Sequence, residues 1–541
     1  MSIDDLRTIN DDSPIETDLC LIGSGPAGWA IAEELKDSGL RILMLESGGR
    51  DVDPDAAALN EVEDVGVRLF NGRARVLGGT SRLWNGRCVP FDDIDYEERP
   101  WVPHSGWPFN ARAMAPYVDR ASEHLGAGPY YAGTERRPLP QGPQPRPGVN
   151  PALMRSIWWE NPGYIDFGQV LTTRRSANLW VLVRATVTHL NTDPYGRHVE
   201  SVEVADANGR RLTVRARAFV LCAGGVENPR ILLYSNRVNP EGVGNAHDLV
   251  GRYLMDHPRD LRLAARVEER DVDRFRDLFG PYDLDNPRGR HEFWHGFVLS
   301  PERVRAERLL NTAAWPYEEI AADDPFDAVK RLLRGPRDRA LRDARLAASQ
   351  PGLLMRGLRS RLVDKQKVRR KAERTGFLVS SEQVPDRDSR VELADRKDWL
   401  GLPITRTNWR VGELETRSQA VLAQTIAAEF ARLGLPPIRL ADWVRSGRVE
   451  DAQFVDGCHP IGTTRMADEP RQGVVDADCQ VHGVDGLYVA GSSVFPTAGH
   501  ANPTLMIVAL AVRLAEHLKE RLAAKASPRV AGRPQPVLAA D

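Results

Sequence analysis

A βαβ pattern near the start of the chain limits the fold more than any other feature of the sequence. Residues 19–23 (LCLIG) are a short apolar run typical of a buried parallel strand, and the glycine-rich turn GSGPAG follows at once. The segment WAIAEELKDSG predicts a helix that ends at Gly39, and LRILMLE predicts a second strand that ends at Glu46. This order predicts a Rossmann-like parallel sheet.

The glycine spacing in this unit predicts a dinucleotide site. Gly23 permits the tight turn, Gly25 lets the backbone approach a diphosphate, and Gly28 lets helix and strand pack closely. Free N–H groups at the helix start would face the diphosphate. Glu46 can accept hydrogen bonds from a ribose diol, which favours FAD or NAD over NADP. The predicted contacts here are Gly23, Gly25, Pro26, Ala27, Gly28 and Glu46.

A second glycine-rich stretch, residues 75–91 (RVLGGTSRLWNGRCVPF), is typical of a loop that touches a flat ligand. Adjacent glycines allow close backbone approach, and hydroxyl and amide side chains can hydrogen-bond a ring edge. The alternative is a surface loop around a buried Trp. The predicted contacts are Gly78, Gly79, Thr80, Trp84, Asn85 and Gly86.

Two further segments repeat the strand, glycine and helix order. Residues 218–235 (AFVLCAGGVENPRILLYS) predict Ala223, Gly224 and Asn228 near the dinucleotide. Residues 454–518 contain a histidine turn (HPIGT), an apolar strand (LYVAG) and the sequence GHANPT, which opens an apolar helix. We expect this segment to complete the site begun at Gly23.

Taken together, GSGPAG, LGGTSRLWNG, LCAGGVENPRILL, HPIGTTRM and LYVAGSSVFPTAGHANPTLMIVALA resemble the glucose–methanol–choline (GMC) family of FAD-dependent oxidoreductases. The ANPT ending looks most like the pyranose-oxidase and sugar-dehydrogenase branch. The resemblance implies hydride transfer from an alcohol carbon to flavin N5, with His459 as base, Asn502 as its partner and His500 as a less certain rival. It also implies cofactor contacts at Val187, Gly491, Ser492, Asn502, Pro503 and Thr504.

The resemblance has one departure. Pyranose oxidases bond a His covalently to the flavin at the position that Leu83 occupies here, so we expect dissociable FAD. The expected substrate is a sugar, glycoside, amino sugar or related polyol. Two alternatives remain open at this point, namely a flavin-containing lyase of the same family and a non-catalytic flavin-binding partner subunit. The electron acceptor, oxygen or another, is also open.

The expected fold is α/β (α+β overall), with a second domain that contains an antiparallel sheet and helices. We assign residues 16–105, 160–257 and 450–525 to a discontinuous FAD-binding domain, 106–159 to a covering segment or lid, 258–449 to a substrate-binding domain and 526–541 to a disordered tail. A length of 541 residues is too great for one simple core.

Composition excludes several other classes. The net charge of −2 gives no reason to expect nucleic acid binding, and the five scattered cysteines predict neither a disulfide framework nor a metal site. An acidic, polar start and the lack of a long apolar run predict a cytoplasmic protein without a transmembrane span. Residues 331–375 carry 15 Lys/Arg against 4 Asp/Glu, which fits a docking patch or, as we prefer, a solvated helical face. An oligomer remains possible.

Overall fold

The computed structural model describes residues 2–66, 69, 72–142, 146–173, 176–334, 339–362 and 368–524. The expected disordered tail, 526–541, lies outside these residues, as does part of the basic tract. Within these ranges no helix is long and apolar enough to cross a membrane.

The strands share three main sheets. In chain order they are β1 Ser2–Asp5, β2 Ile15–Ile22, β3 Ile42–Glu46, β4 Val62–Gly66, β5 Tyr131–Ala132, β6 Glu135–Arg136, β7 Met154–Asn161, β8 Leu179–Val183, β9 Thr186–Thr192, β10 Val199–Ala205, β11 Arg211–Leu221, β12 Arg259–Asp260, β13 Ala265–Val267, β14 Tyr282–Asn286, β15 Gly289–Leu299, β16 Thr312–Ile320, β17 Ala372–Ser381, β18 Arg390–Lys397, β19 Pro403–Trp409, β20 Ile438–Leu440, β21 Phe454–Val455 and β22 Leu487–Val489.

The helices lie mainly between these strands. They are α1 Pro26–Glu34, α2 Pro54–Ala58, α3 Asp93–Tyr96, α4 Ala111–His124, α5 Phe167–Thr173, α6 Gly224–Tyr234, α7 Val272–Phe279, α8 Pro301–Glu307, α9 Pro325–Arg334, α10 Ala340–Ser349, α11 Pro351–Leu362, α12 Glu413–Arg432, α13 Asp442–Ser446 and α14 Thr504–Ala524. Short 3₁₀ turns include Gly79–Arg82 and Ser492–Val494.

The first sheet has the predicted Rossmann-like arrangement. Its strand order is β1-β8-β3-β2-β11-β10-β9, with β22 also paired to β11. Strands β1, β8, β3, β2, β11 and β22 run parallel, and β9 and β10 add an antiparallel edge. Both α1 and α4 pack against α14, so a helix from the C-terminal segment covers the N-terminal unit. The C-terminal strand therefore joins the N-terminal sheet, as predicted.

The second sheet is antiparallel and forms the expected second architecture. Its main strand order is β14-β15-β16-β17-β12-β21, with β7, β13 and β20 attached. One face packs against α7 and α12 through buried phenylalanines. The other face carries Trp159, Trp294, Trp315 and Tyr317 and packs towards the core of the first sheet. This aromatic face is therefore the part of the second sheet nearest the dinucleotide domain.

A third, three-stranded sheet links distant parts of the chain. Strands β18 and β19 form a hairpin, and β4 pairs with β19 in parallel. The strands expected after Gly376 are thus divided, because β17 belongs to the second sheet whereas β18 and β19 belong to the third. Likewise β7, from the expected covering segment, pairs along its whole length with β15.

Candidate active site

The turn between β2 and α1 meets the second glycine-rich loop directly. The Ser24 hydroxyl donates to Glu46 Oε2 (2.5 Å) and accepts from the Gly78 N–H (2.9 Å). A Cβ added to Gly79 would lie 3.1 Å from the Gly25 Cα. The structure therefore brings Gly78 and Gly79 against the first turn.

The glycines of this turn fit a dinucleotide. A Cβ on Gly28 would lie 2.1 Å from the Gly23 carbonyl oxygen, so helix and strand pack too closely there for any side chain. Gly23 has φ +112°, and its own Cβ would lie 2.6 Å from the Cys222 carbonyl oxygen. By contrast, a Cβ on Gly25 would meet nothing within 4 Å. Backbone is exposed where a diphosphate would approach it.

Glu46 ends β3 beside this turn and is buried. Its carboxylate accepts from the Ser24 N–H and hydroxyl and from the Gly48 N–H (2.8 Å). Burial raises the pKa of Glu46 despite these hydrogen bonds. The carboxylate is held in one orientation at the strand end, with lone pairs left for a ribose diol.

The Asn228 side chain hydrogen-bonds to two of the predicted strand–glycine–helix junctions. Its Oδ1 accepts from the Ala223 N–H (2.8 Å), and its Nδ2 donates to the Ala490 carbonyl (3.3 Å) and the Ser493 hydroxyl (2.9 Å). The amide thereby ties the end of β11 to the end of β22. Gly224 (φ +85°) is open, since a Cβ there would meet nothing within 4 Å.

The HPIGT turn packs onto these two junctions. The Pro460 carbonyl accepts from the Ser492 hydroxyl (2.7 Å), and the Thr463 hydroxyl donates to the Gly225 carbonyl (2.6 Å). A Cβ on Gly225 would lie 2.1 Å from the Pro460 carbonyl oxygen. Gly491, next to Ser492, has φ +126°, which favours glycine. Close backbone packing therefore sets the position of His459.

His459 is the end of a hydrogen-bonded chain. Its Nδ1 lies 2.9 Å from His257 Nδ1, and His257 Nε2 lies 2.9 Å from the Gly499 carbonyl oxygen. A carbonyl only accepts, so His257 Nε2 carries a proton. Burial lowers the pKa of His257 to about 4, so its Nδ1 is an acceptor at neutral pH. His459 Nδ1 must then donate, which leaves the lone pair on His459 Nε2.

Asp256 holds both histidines through their backbone. Its carboxylate accepts from the N–H groups of His257 (2.6 Å), Gly457 (2.6 Å) and His459 (2.7 Å). Gly457 lies so close that a Cβ would be 2.9 Å from Asp256 Oδ1 and 3.0 Å from His459 Nδ1. Cys458 adopts φ +60°, an uncommon conformation for a side-chain-bearing residue. These hydrogen bonds and close contacts therefore fix the backbone of the turn around the His459 ring.

The electrostatics keep His459 neutral. Burial lowers its pKa well below the ordinary value, and the neighbouring His257 and Arg259 act in the same direction. As a whole residue His459 is half-buried, whereas His257 is buried. His459 is therefore an uncharged imidazole with a free Nε2 over the neutral range.

His500 and Asn502 lie in the loop before α14. His500 is buried, its Nε2 lies 3.1 Å from Asp92 Oδ2, and its ring contacts Trp159 edge-on. Its Nδ1 is buried and has no hydrogen-bond partner among the described residues. Asn502 is partly exposed. Pro503 and Thr504 follow, and the Pro503 carbonyl accepts the first hydrogen bond into α14 from the Ile507 N–H (2.8 Å).

The remaining predicted contacts occupy the loop after Gly79 and strand β9. Trp84 donates its indole N–H to the Ile165 carbonyl (2.8 Å), and Asn85 is exposed. Gly86 has φ +78°, and a Cβ there would lie 2.4 Å from the Gly163 carbonyl oxygen. Val187 is buried in β9, where its carbonyl accepts from the Tyr234 hydroxyl (2.7 Å).

Sequence reasoning missed several residues of this site. It gave no role to Ser24, Asp256, His257, Arg87 or Arg259. The signal for two of these was the polar sequence Asp256–His257 directly before Pro258, at the expected domain boundary. His295 does not reach this site, because it stacks on Trp158 (4.8 Å between ring centroids) and packs with Phe279 on the opposite face of the second sheet.

The fold and this edge of the first sheet define a dinucleotide-binding α/β protein with a histidine centre between its two sheets. Two family models described as GMC oxidoreductase match residues 168–259 and 385–511. The fructose dehydrogenase large subunit of Gluconobacter japonicus is 26% identical over 338 residues, which span 62% of this chain and 53% of that protein. Paromamine 6'-oxidase of Streptomyces fradiae is 25% identical over 92% of this chain and 90% of that protein.

A solved formate oxidase structure has the same fold. The superposition has a TM-score of 0.57 and 15% identity, and it covers 94% of this chain and 99% of that chain. The chain belongs to the GMC oxidoreductase family. It is accordingly an FAD-dependent oxidoreductase that acts on CH–OH groups.

Proposed function

We propose that His459 Nε2 accepts the hydroxyl proton of an alcohol substrate. The observation that carries this proposal is the chain from the Gly499 carbonyl through His257 to His459 Nδ1, because it leaves the lone pair on Nε2. When bound, FAD supplies the acceptor for the hydride that leaves the alcohol carbon. The hydroxyl proton goes to His459, and the product is the carbonyl compound.

The electrostatic surroundings of His459 favour the unprotonated imidazole that a base requires. Because burial, His257 and Arg259 lower the pKa of His459, the imidazole needs no deprotonation before each turnover. After it takes the proton, the same surroundings favour loss of that proton again. Asp256 holds the ring in place through the His459 N–H and does not act on the ring nitrogens.

We assign the second substrate contact to Asn502. An amide side chain can donate to and accept from a hydroxyl without competing for its proton, and Asn502 is partly exposed at the start of α14. His500 ranks second, since its Nε2 is already engaged by Asp92 and its ring is buried against Trp159.

We infer that the alcohol belongs to a sugar, glycoside, amino sugar or related polyol. Names such as fructose dehydrogenase and paromamine 6'-oxidase describe sugar-type substrates of related proteins. The aromatic face of the second sheet supports the same substrate class, because flat rings pack well on the apolar faces of sugar rings.

We also propose the division into a FAD-binding unit (16–105, 160–257 and 450–525), a covering segment (106–159) and a substrate-binding unit (258–449). The separate first and second sheets support it, although the third sheet joins β4 to β19 across that division. FAD is expected to dissociate, because Leu83 offers no nucleophile for a covalent bond. Release of free FAD into the supernatant on heat denaturation tests this point.

Asp256, His257 and His459 present possible metal ligands within 4.8 Å of one another. Their facing atoms already hydrogen-bond to one another or to backbone N–H groups. We therefore assign this cluster to proton handling and propose no metal there.

The test is anaerobic reduction of the holoenzyme by a panel of sugars and alcohols, followed by flavin absorbance. With a substrate from that panel, His459→Ala should retain FAD and slow flavin reduction by about 10²–10⁴-fold, the usual contribution of a positioned general base. His198→Ala is the matched control, because His198 also hydrogen-bonds a carbonyl (Asp485, 3.1 Å) but lies at the start of β10. An unchanged rate of flavin reduction in His459→Ala would refute the assignment of His459 as the base. If His500→Ala slows flavin reduction more than His459→Ala does, the base is His500 instead.

A further inference from the structure

Two arginines lie at the aromatic face of the second sheet, and the first of them belongs to one of its strands. Arg259 begins β12, two residues after His257, and pairs with Ser380 of β17. Ser380 in turn pairs with Ala313 of β16. Every second residue of a strand lies on the same face, so Ala313, Trp315 and Tyr317 share one face. Arg259 is therefore on the aromatic face, and its Nε donates to the Asp456 carbonyl (3.2 Å).

The second arginine stacks on that face. The Arg87 guanidinium lies over the Trp294 ring, 4.1 Å from its centroid, and its buried Nε has no hydrogen-bond partner among the described residues. The Trp294 indole N–H donates to Glu292 (2.6 Å), which holds the ring in place. The stacked guanidinium is thus rigid and keeps its N–H edges for another partner.

The two guanidinium groups act on each other. Burial and the charge of Arg259 lower the pKa of Arg87 to about 10. The same Arg259 charge contributes to the lowered pKa of His459 and His257. Arg259 therefore lies close to the atoms that we assign to proton transfer, and Arg87 lies close to Arg259.

Neither arginine has a carboxylate in direct contact among the residues that the structure describes, although the charge of Arg259 acts on the buried Asp256 carboxyl and opposes the rise in pKa that burial causes. Neither Arg87 nor Arg259 forms an ion pair within 4.0 Å there, whereas the buried Arg99 pairs with Glu382 and the buried Arg230 pairs with Glu227 and Asp398. Two like charges in a partly buried site are unfavourable unless an opposite charge joins them. Guanidinium groups match the planar oxygens of carboxylates and the oxygens of phosphates.

We propose that Arg87 and Arg259 form an oxyanion-binding subsite beside His459, and that the alcohol substrate carries a carboxylate or phosphate group. This inference rests on the proposed function, because it places the anion of the substrate where its hydroxyl can reach His459 Nε2. The aromatic face would contact the uncharged part of the same molecule. A neutral sugar would leave both guanidinium groups without a direct contact to an opposite charge.

The test is titration of the oxidised holoenzyme at constant ionic strength with sodium acetate, sodium phosphate and neutral acetamide. Flavin absorbance and tryptophan fluorescence report binding without turnover. We expect saturable binding of at least one anion and none of acetamide. Arg259→Gln and Arg87→Gln should each weaken anion binding about tenfold or more, since hydrogen bonds to charged groups are strong, and Arg259→Lys should retain part of it.

Arg262→Gln is the matched control, because Arg262 is three residues further on but already binds the Asp260 carboxylate (3.1 Å). Tighter acetate binding indicates a sugar acid, and tighter phosphate binding indicates a sugar phosphate. With methyl glucuronide and methyl glucoside as a carboxylate and neutral pair, the Gln variants should raise KM for the charged compound by a larger factor than for the neutral one.

Three results would overturn the proposal. These are no saturable anion binding, anion binding that neither Gln variant weakens, and loss of FAD from both variants, which would make the arginines cofactor ligands. If anions fail to bind while flavin reduction still depends on His459, only the subsite is wrong. If both arginines bind the anion but His459→Ala reduces flavin normally, the base assignment is wrong and the subsite stands.

Discussion

Replacement of His257 by Leu tests whether the hydrogen-bonded chain sets the protonation pattern of His459. The variant removes the imidazole nitrogen that accepts from His459 Nδ1 at 2.9 Å. The net loss of one hydrogen bond is about 0.5–1.5 kcal/mol, and a buried donor without a partner costs about 1–3 kcal/mol. Because about 1.4 kcal/mol corresponds to a factor of ten, flavin reduction should slow roughly 10- to 100-fold.

The pH profile separates this effect from general damage. His257 contributes to the lowered pKa of His459, so its removal should move the acid limb of the reduction rate towards neutral pH. The assay is anaerobic stopped-flow reduction across pH, with FAD content measured for each variant. His295→Leu is the matched control, because burial also lowers the pKa of His295 to about 4 but its ring faces the phenylalanine core. A reduction rate and acid limb identical to those of the wild type would refute the relay through His257.

Two further predictions follow from the same geometry. Gly457→Ala should lower Tm and slow flavin reduction, because its Cβ would lie 2.9 Å from Asp256 Oδ1 and overpacking costs about 1–3 kcal/mol. Gly148→Ala is the control and should change neither quantity, because a Cβ there meets nothing within 4 Å. A Gly457→Ala enzyme with normal Tm and normal flavin reduction would contradict the close packing. For stability, His257 has a folded-state pKa of about 4 against about 6.5 unfolded, so the unfolded chain binds more protons between these values and stability falls as pH drops through this window, by about 1.4 kcal/mol per pH unit. Denaturant unfolding from pH 7 to pH 4 should therefore show a shallower loss for His257→Leu than for the wild type, and parallel curves would contradict this assignment.

Local patterns were enough to predict the cofactor domain. An apolar run, a glycine turn, a helix and an acid at the next strand end are each set by neighbouring residues, so β2, α1 and β3 could be predicted from 30 or so positions. The family motifs also tied the C-terminal segment to this unit, and β22 does pair with β11 beside β2.

The assignment of the later strands to the second or the third sheet was less predictable. Alternating strands after Gly376 predict an antiparallel sheet, but alternation does not name the partner strand. Only the tertiary pairing shows that β17 joins β16 whereas β19 joins β4, more than 300 residues earlier in the chain.

The sequence by itself determined the dinucleotide turn, the family and the histidine turn around His459, because motifs record short stretches with fixed backbone requirements. The tertiary structure alone decided what surrounds that histidine. His257 lies 202 residues before His459, and Arg87 reaches Trp294 from a separate loop. Proton position and local charge depend on distances between such remote groups, and those distances exist only after the two sheets pack together.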